Sequence, residues 1–169
     1  MSTPFSDAVK HVQTERGSRT AYARVEARGG FPSDITDELR EFLTIIDTAF
    51  LATASADGQP YIQHRGGPPG FIRAIDDHTL AFADLTGNRQ YVSTGNLTEN
   101  PKVCLFLIDY ATQQRVKVWG TARMVPVADA PPGLPIPRKA EQVFLLTVTA
   151  WDVNCSQHIP RKITVEEPA

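Results

Sequence analysis

Three arginines in one stretch of the sequence are the first candidates for binding chemistry. Arg65 precedes the glycine- and proline-rich turn at 66–70, Arg73 follows that turn, and Arg89 comes after a glycine and an asparagine. Glycine lets a ligand approach the backbone closely, and a guanidinium group binds phosphate through paired hydrogen bonds. Together with Ser93 and the N–H groups at the start of a following helix, the arginines predict a phosphate site. The alternative for each arginine is a solvated turn, and for Arg73 the two interpretations are evenly balanced.

A second group of polar residues follows the last apolar run. Cys155 and His158 are close enough in sequence to suggest a nucleophile and a base, but no third group that would orient them is evident. We therefore expect Trp151 to pack as a lid, with its polar neighbours contacting a ligand or a second subunit. On another predicted strand, Arg115 and Trp119 share one face, which is either a ligand wall or an exposed basic face.

The composition is that of an ordinary globular protein. The chain has 169 residues, 41% hydrophobic content and a formal net charge of −2, which predicts one domain, or one domain with an arm, and no broad nucleic-acid footprint. The two cysteines lack the spacing of a metal site. The first residues lack an apolar signal segment, and no apolar run reaches the length of a membrane span, so a cytoplasmic location is expected.

The elements that position these residues are mostly strands. Thr36 followed by two acids predicts a capped helix at 37–47, and the Asp-Gly pair at 57–58 predicts a hairpin. Gly120 is expected to be a bulge or a point of close approach. Strands are predicted at 49–55, 60–64, 80–84, 102–110, 114–125 and 143–151, with a short helix within 87–99 and a proline-rich loop at 128–137. About six strands with peripheral helices predict a mainly β (α+β) fold, built as a closed antiparallel barrel.

Several of these segments also resemble a known family. The residues from about 37 to 163 are similar to the pyridoxamine 5′-phosphate oxidase-related flavin-binding proteins. The resemblance rests on FLATASADGQPYIQHRGGPPGF (50–71), TLAFADLTGNRQ (79–90), GNLTENPKVCLFLID (95–109), RVKVWGTAR (115–123) and AWDVNCSQHIPRK (150–162).

The resemblance implies a specific architecture and cofactor. Members share a split β-barrel, here expected at 37–169 behind an N-terminal arm at 1–36, and they are homodimers with FMN at the subunit interface. Trp151 and Arg161 reproduce the ten-residue spacing with which the oxidase closes its site. The FMN-binding residues implied here are Arg65, Gly66, Gly67, Arg73, Ala83, Asp84, Asn88, Arg89, Ser93, Asn96, Arg115, Trp151, Gln157, His158 and Arg161.

The implied activity is less specific than the implied cofactor. The substrate-phosphate arginines and the C-terminal histidine signature of the oxidase are not recognisable, so turnover of pyridoxamine phosphate is not expected. We expect an FMN-dependent oxidoreductase that acts on a small molecule or a nicotinamide donor, with no catalytic residue or metal assigned. The alternatives are a flavin-binding or redox-sensing module without turnover, and a split barrel that binds F420 or haem.

Overall fold

In the described part of the chain, four helices lie outside the sheet. The computed structural model describes residues 3–154 and 157–163. The N-cap Thr36 accepts a hydrogen bond from the backbone N–H of Leu39, and this confirms the predicted capped helix. The helix predicted within 87–99 is also present, but it starts later than the glycine that opens the segment. The helices are α1 (Asp7–Glu15), α2 (Arg19–Ala27), α3 (Asp37–Ile45) and α4 (Val92–Glu99).

Within the described residues, seven strands form one antiparallel sheet in the order β2-β1-β5-β6-β7-β4-β3. The predicted Asp-Gly hairpin joins β1 to β2, where Gly58 has a φ of 89°. A short 3-10 turn, Val127–Asp129, follows β6. The strands are β1 (Thr48–Ala54), β2 (Pro60–Gly66), β3 (Arg73–Ala74), β4 (Thr79–Leu85), β5 (Lys102–Asp109), β6 (Gln114–Pro126) and β7 (Ala140–Asn154).

The sheet curls but does not close. Its edges are β2 and β3, and β3 covers only two residues of β4, so the second half of β4 faces β2 without a backbone ladder. The closed barrel expected from the strand pattern is therefore wrong, and the mainly β split barrel implied by the family resemblance is confirmed. The strand count rises by one because β3 is too short to produce a periodic pattern in the sequence.

The core fills the inside of the curled sheet and is covered on one side by α3. Leu39 and Phe42 of α3 pack with Trp151 of β7 in this core. A register shift at Trp119/Gly120 confirms the predicted bulge. The backbones also approach closely there, since a Cβ at Gly120 would lie only 2.0 Å from the carbonyl oxygen of Thr147. This position requires glycine for steric reasons.

The N-terminal helices attach to the sheet through an aromatic series. The Phe5 ring contacts Phe31 at a centroid distance of 5.7 Å, and Phe31 stacks on Trp119 of β6 at 6.1 Å. The arm therefore packs against β6, while its assignment as a separate unit at 1–36 stays a prediction. Among the described residues, no helix is long and apolar enough to cross a bilayer.

Candidate functional site

A polar cleft lies where β2, β4, the start of β7 and the loop before α4 meet. We call it the mouth cleft. It contains five of the predicted site residues, namely Arg65, Asp84, Asn88, Arg89 and Ser93, and its other lining residues are Gln63, Leu85, Gly87, Tyr91, Thr94 and Glu141. Three separate segments of the chain, 63–65, 84–94 and 141, line the cleft, and the five predicted residues come from the first two.

An ion pair between two of these residues spans the split in the barrel. Arg65 lies near the end of β2 and Asp84 lies near the end of β4, and Nη1 of Arg65 binds Oδ1 of Asp84. Their side chains are only 12% and 11% exposed. The two strands that fail to pair through their backbones are therefore connected by a buried pair of opposite charges.

The ion pair leaves one donor unused. Nε of Arg65 is buried and has no hydrogen-bond partner in the described part of the chain. Burial raises the pKa of Asp84, Arg65 opposes this rise, and Glu141 adds to it. A buried N–H donor without a partner costs free energy, and a hydrogen-bond acceptor on a bound ligand would remove that cost.

The loop between β4 and α4 has an unusual backbone. Arg89 and Tyr91 have φ values of 62° and 53°, a left-handed region that non-glycine residues rarely adopt. The side chain of Arg89 is exposed, and its Nε donates to the Tyr91 hydroxyl at 3.4 Å. Strained residues of this kind cluster at binding sites, and both line the mouth cleft.

A second, more apolar cleft adjoins the first. We call it the proline cleft. Leu85 lines both clefts and thereby connects them. Four further predicted residues line the proline cleft, namely Gly66, Gly67, Arg73 and Ala83, beside Pro68, Pro69, Gly70, Phe71, Pro135 and Pro137.

The two glycines of the turn have a packing role in addition to their position at the cleft. A Cβ at Gly66 would lie 2.8 Å from Cε1 of His64, and a Cβ at Gly67 would lie 2.7 Å from Cβ of Phe71. Gly70 has a φ of 78° and donates its N–H to the carbonyl of Ile46. The turn is therefore held tightly against its own neighbours, and this alone requires small residues.

Ser93 and one further predicted residue, Asn96, lie on α4 and are engaged by other parts of the protein. The Ser93 hydroxyl donates to Oε1 of Gln63 on β2 at 3.2 Å. Nδ2 of Asn96 donates to the buried Thr53 hydroxyl at 2.9 Å, and Asn96 does not line the mouth cleft. Both side chains attach α4 to the sheet.

The remaining predicted residues lie on β6, on β7 and in the tail rather than around the mouth cleft. Arg115 is opposite Ile108 in the β5–β6 ladder, and its Nε is buried without a partner among the described residues. The tail packs on the β5–β6 turn, where Nε2 of Gln113 donates to the carbonyl of Ile159 at 2.6 Å. The predicted residues on this tail, all exposed, are Gln157, His158 and Arg161.

Trp151 does not form the expected lid. Its side chain is 5% exposed within the core, and its Nε1 donates to the carbonyl of Asp34 at 2.8 Å. Because the indole is enclosed and its N–H is satisfied, the tryptophan acts as a core residue of this chain. The neighbouring Cys155 lies outside the described residues, so the nucleophile interpretation stays without a structural description.

Sequence reasoning did not assign six lining residues of the mouth cleft, among them Gln63, Tyr91 and Glu141. The sequence could have indicated Gln63, since Gln63 and Arg65 are two positions apart on β2 and therefore share one face of the strand. Tyr91 and Glu141 had no such signal, because a left-handed loop and the start of a separate strand bring them to the cleft. Among the described residues, no group of three histidine, cysteine or carboxylate side chains is arranged to hold a metal ion.

Comparison with known proteins identifies the family. The sequence model of the pyridoxamine 5′-phosphate oxidase family matches residues 35–155, which is well over half of the chain. The chain belongs to this family. The match includes both clefts and stops before most of the tail, and no curated protein matches the sequence.

Two solved structures have the same fold. HupZ of Group A Streptococcus superposes with a TM-score of 0.56 at 20% identity, covering 76% of this chain and 98% of HupZ. A Lactobacillus delbrueckii protein assigned to the pyridoxamine 5′-phosphate oxidases superposes with a TM-score of 0.56 at 23% identity, covering 72% of this chain and 95% of that protein. At these identities the likeness establishes the split barrel.

Proposed function

We propose that this protein is an FMN-binding flavoprotein whose cofactor occupies the mouth cleft and the adjoining proline cleft. The observation that carries the proposal is the unpartnered, buried Nε of Arg65, which lies where two separate chain segments bring the five predicted residues of the mouth cleft together. A buried donor of this kind is satisfied when an acceptor on a ligand binds beside it.

The two clefts differ in the way that the two parts of FMN differ. The mouth cleft is polar and contains the exposed guanidinium of Arg89, which suits a phosphate. The proline cleft is lined by glycine, proline and phenylalanine, with Arg73 as its charged residue, which suits a flat aromatic ring system. Because Leu85 belongs to both, one ligand with an anionic end and an aromatic end fits the combined site.

The roles of the protein side chains follow from this placement. Flavin, when bound, supplies hydride and electron transfer, so the protein needs no acid–base dyad for exchange with a nicotinamide donor. Arg89 binds the phosphate, Arg65 adds a second donor, and Arg73 holds negative charge near the ring end of the site. The tightly packed turn at 66–70 orients the ring by excluding alternative positions.

We further propose that the working unit is a homodimer. The structure divides the predicted residues into those of the two clefts and those of β6 and the tail, and a single chain does not bring Arg115 or His158 to the mouth cleft. The outward face of the sheet also carries apolar side chains, with Ile62 63% exposed and Phe50 beside Phe106. A second copy packed on this face would cover these side chains and bring its own β6 and tail toward the cleft.

The visible spectrum of the purified protein tests the cofactor assignment. A flavin spectrum that co-purifies with the protein, from a chromophore that acid releases, supports FMN. A protein that is colourless and does not bind added FMN contradicts the proposal. A haem or deazaflavin spectrum would instead select one of the other split-barrel cofactors. Anaerobic bleaching of bound flavin by a nicotinamide donor separates an oxidoreductase from a passive flavin binder.

A charge removal at the mouth cleft tests the binding residues. Arg89→Ala should weaken FMN binding by about 1.5–3 kcal/mol because a charge-assisted hydrogen bond to phosphate is lost. Arg24→Ala is the matched control, since Arg24 is an exposed arginine on α2. Equal FMN affinity in both variants would place Arg89 outside the site.

The oligomeric state is measured separately. Light scattering of the purified protein should give twice the chain mass, and Ile62→Asp should shift it toward the single-chain value because a charge on the outward face opposes burial. A wild-type protein that stays monomeric at micromolar concentration would contradict the dimer.

A further inference from the structure

We infer that Asp84 sets the anion affinity of the mouth cleft by competing with the ligand for Arg65. The Asp84 carboxylate occupies the guanidinium that the family resemblance assigns to phosphate. An incoming anion must therefore compete with a carboxylate of the protein for the charge of Arg65 and for its Nη1 donor. The inference rests on the proposed function only for the identity of that anion as the FMN phosphate.

The geometry of Arg65 has the features of a group that can exchange partners. One edge of the guanidinium binds Asp84 through Nη1, while Nε is buried and unpartnered. Guanidinium groups bind phosphate and sulfate best when two N–H groups point at two oxygens. The contact with Asp84 thus satisfies part of Arg65 and leaves the rest available to a stronger, bidentate acceptor.

Asp84 can release Arg65 because of the groups that surround it. It is faced by Arg65 from β2 and by Glu141 from β7, with Arg89 and Tyr91 on the loop before α4. Burial raises the pKa of Asp84, Arg65 lowers it and Glu141 raises it, so the carboxyl takes up a proton more readily when it loses Arg65. Anion binding then exchanges one acceptor of Arg65 for another without leaving an unpaired buried charge.

The competition explains the charge balance of the cleft. Two arginines and two carboxylates line it, so that without a ligand it carries no net charge from these four groups. Weakly charged or monodentate anions gain little by replacing Asp84, whereas a phosphate ester gains a second hydrogen bond and a larger charge. Asp84 therefore acts as a specificity-determining residue that selects for a multivalent anion.

Sulfate is the probe for this inference because its charge stays constant near neutral pH. Arg65 Nε–H is followed by NMR during a sulfate titration of the full chain, with the signal assigned from its absence in Arg65→Lys. Asp84→Asn should bind sulfate about tenfold to a hundredfold more tightly than the wild type, since one charged hydrogen bond no longer competes. Asp84→Ser gives a second uncharged variant if the amide perturbs folding.

Glu141→Gln is the matched control for simple removal of a negative charge. Glu141 lines the same cleft and accepts from the Thr86 hydroxyl at 2.9 Å, but it does not bind Arg65. Its variant should gain less than about fivefold in sulfate affinity, which is the range of partly solvated charge interactions. Equal gains at the two positions, or no gain in Asp84→Asn and Asp84→Ser, would overturn the inference.

FMN and riboflavin separate this inference from the proposed function. Asp84→Asn should strengthen FMN binding and leave riboflavin binding nearly unchanged, because only FMN carries the phosphate. If no variant binds FMN while sulfate behaves as expected, the cofactor assignment fails and the role of Asp84 stands. If FMN binds but Asp84→Asn and the wild type bind FMN and sulfate equally, the cofactor assignment stands and the role of Asp84 fails.

Discussion

The region beneath α3 and the region beside α4 are both largely buried, but they differ in whether their buried polar groups have hydrogen-bond partners. Beneath α3, Leu39 and Trp151 are almost completely buried, and the single polar group of the indole is satisfied by a backbone carbonyl. Beside α4, Arg65 and Asp84 are nearly as enclosed, yet one donor of Arg65 has no partner within the described chain. Both regions are packed, but only the second is electrostatically incomplete.

Because of this difference, we expect the region beneath α3 to determine folding stability and the region beside α4 to bind the ligand. Apolar burial beneath α3 stabilises the fold whether or not a ligand is present. A buried ion pair is weak evidence of stability, since desolvation opposes the attraction between its charges. Mutations should therefore act on folding in one region, and on both folding and ligand affinity in the other.

The largest expected effect comes from the apolar region. Leu39→Ala should lower the free energy of unfolding by about 2–5 kcal/mol because it leaves a cavity in a core position that is 1% exposed. Urea unfolding measures this change, and FMN titration under native conditions should show an unaltered affinity. A fall in FMN affinity as large as that of Arg89→Ala would contradict the separation of the two regions.

The next effect tests the buried ion pair. Arg65→Met should cost about 3 kcal/mol at pH 8, because Asp84 would stay buried without its charge partner. The double variant Arg65→Met/Asp84→Leu should recover most of this stability and bind FMN poorly. If the double variant stays as unstable as the single one, the pair contributes to folding through more than charge compensation.

A satisfied polar contact near the mouth cleft should have a smaller effect. Asn96→Ala removes the 2.9 Å hydrogen bond to the buried Thr53 hydroxyl and should cost about 1 kcal/mol. Thermal unfolding measures it, with Thr98→Ala on the exposed side of the same helix as the control. Because Asn96 does not line the cleft, a loss of FMN affinity beyond that of the control would give it a role in binding.

The pH dependence of stability is the smallest expected effect. The pKa of Asp84 is raised from an ordinary value of 3.8, chiefly by burial, so the folded state binds its proton more tightly than the unfolded state does. The contribution of this group is therefore fully present below pH 3.8 and is lost as the pH rises through the folded-state pKa. Urea unfolding from pH 4 to pH 7 should show the wild type losing stability relative to Asp84→Asn, and parallel curves would contradict the raised pKa.

Local signals in the sequence predicted the elements well. Thr36 with its two following acids marked the start of α3, and the Asp-Gly pair marked the β1–β2 hairpin. The missed element, β3, has two residues and therefore no period to detect. The arginine-rich segment also pointed to the mouth cleft, because glycine and arginine carry chemical information that does not depend on distant contacts.

The interactions within the site could not be predicted in the same way. Arg65 and Asp84 are nineteen residues apart and belong to strands that are not neighbours in the sheet. The sequence predicted a lid at Trp151, and the burial of its side chain in the core contradicts that prediction. Contacts of this kind depend on how the sheet curls, and strand periodicity does not specify that curvature.

The sequence by itself determined the family, the strands and the residue types available for binding an anion. Only the tertiary structure decided that Arg65 is held by Asp84, that one of its donors is unpartnered, and that the predicted residues divide into two separate groups. The physical reason is that residue type and spacing act locally along the chain. Charge pairing and burial depend on distances across the split in the barrel, and these exist only once the sheet has folded.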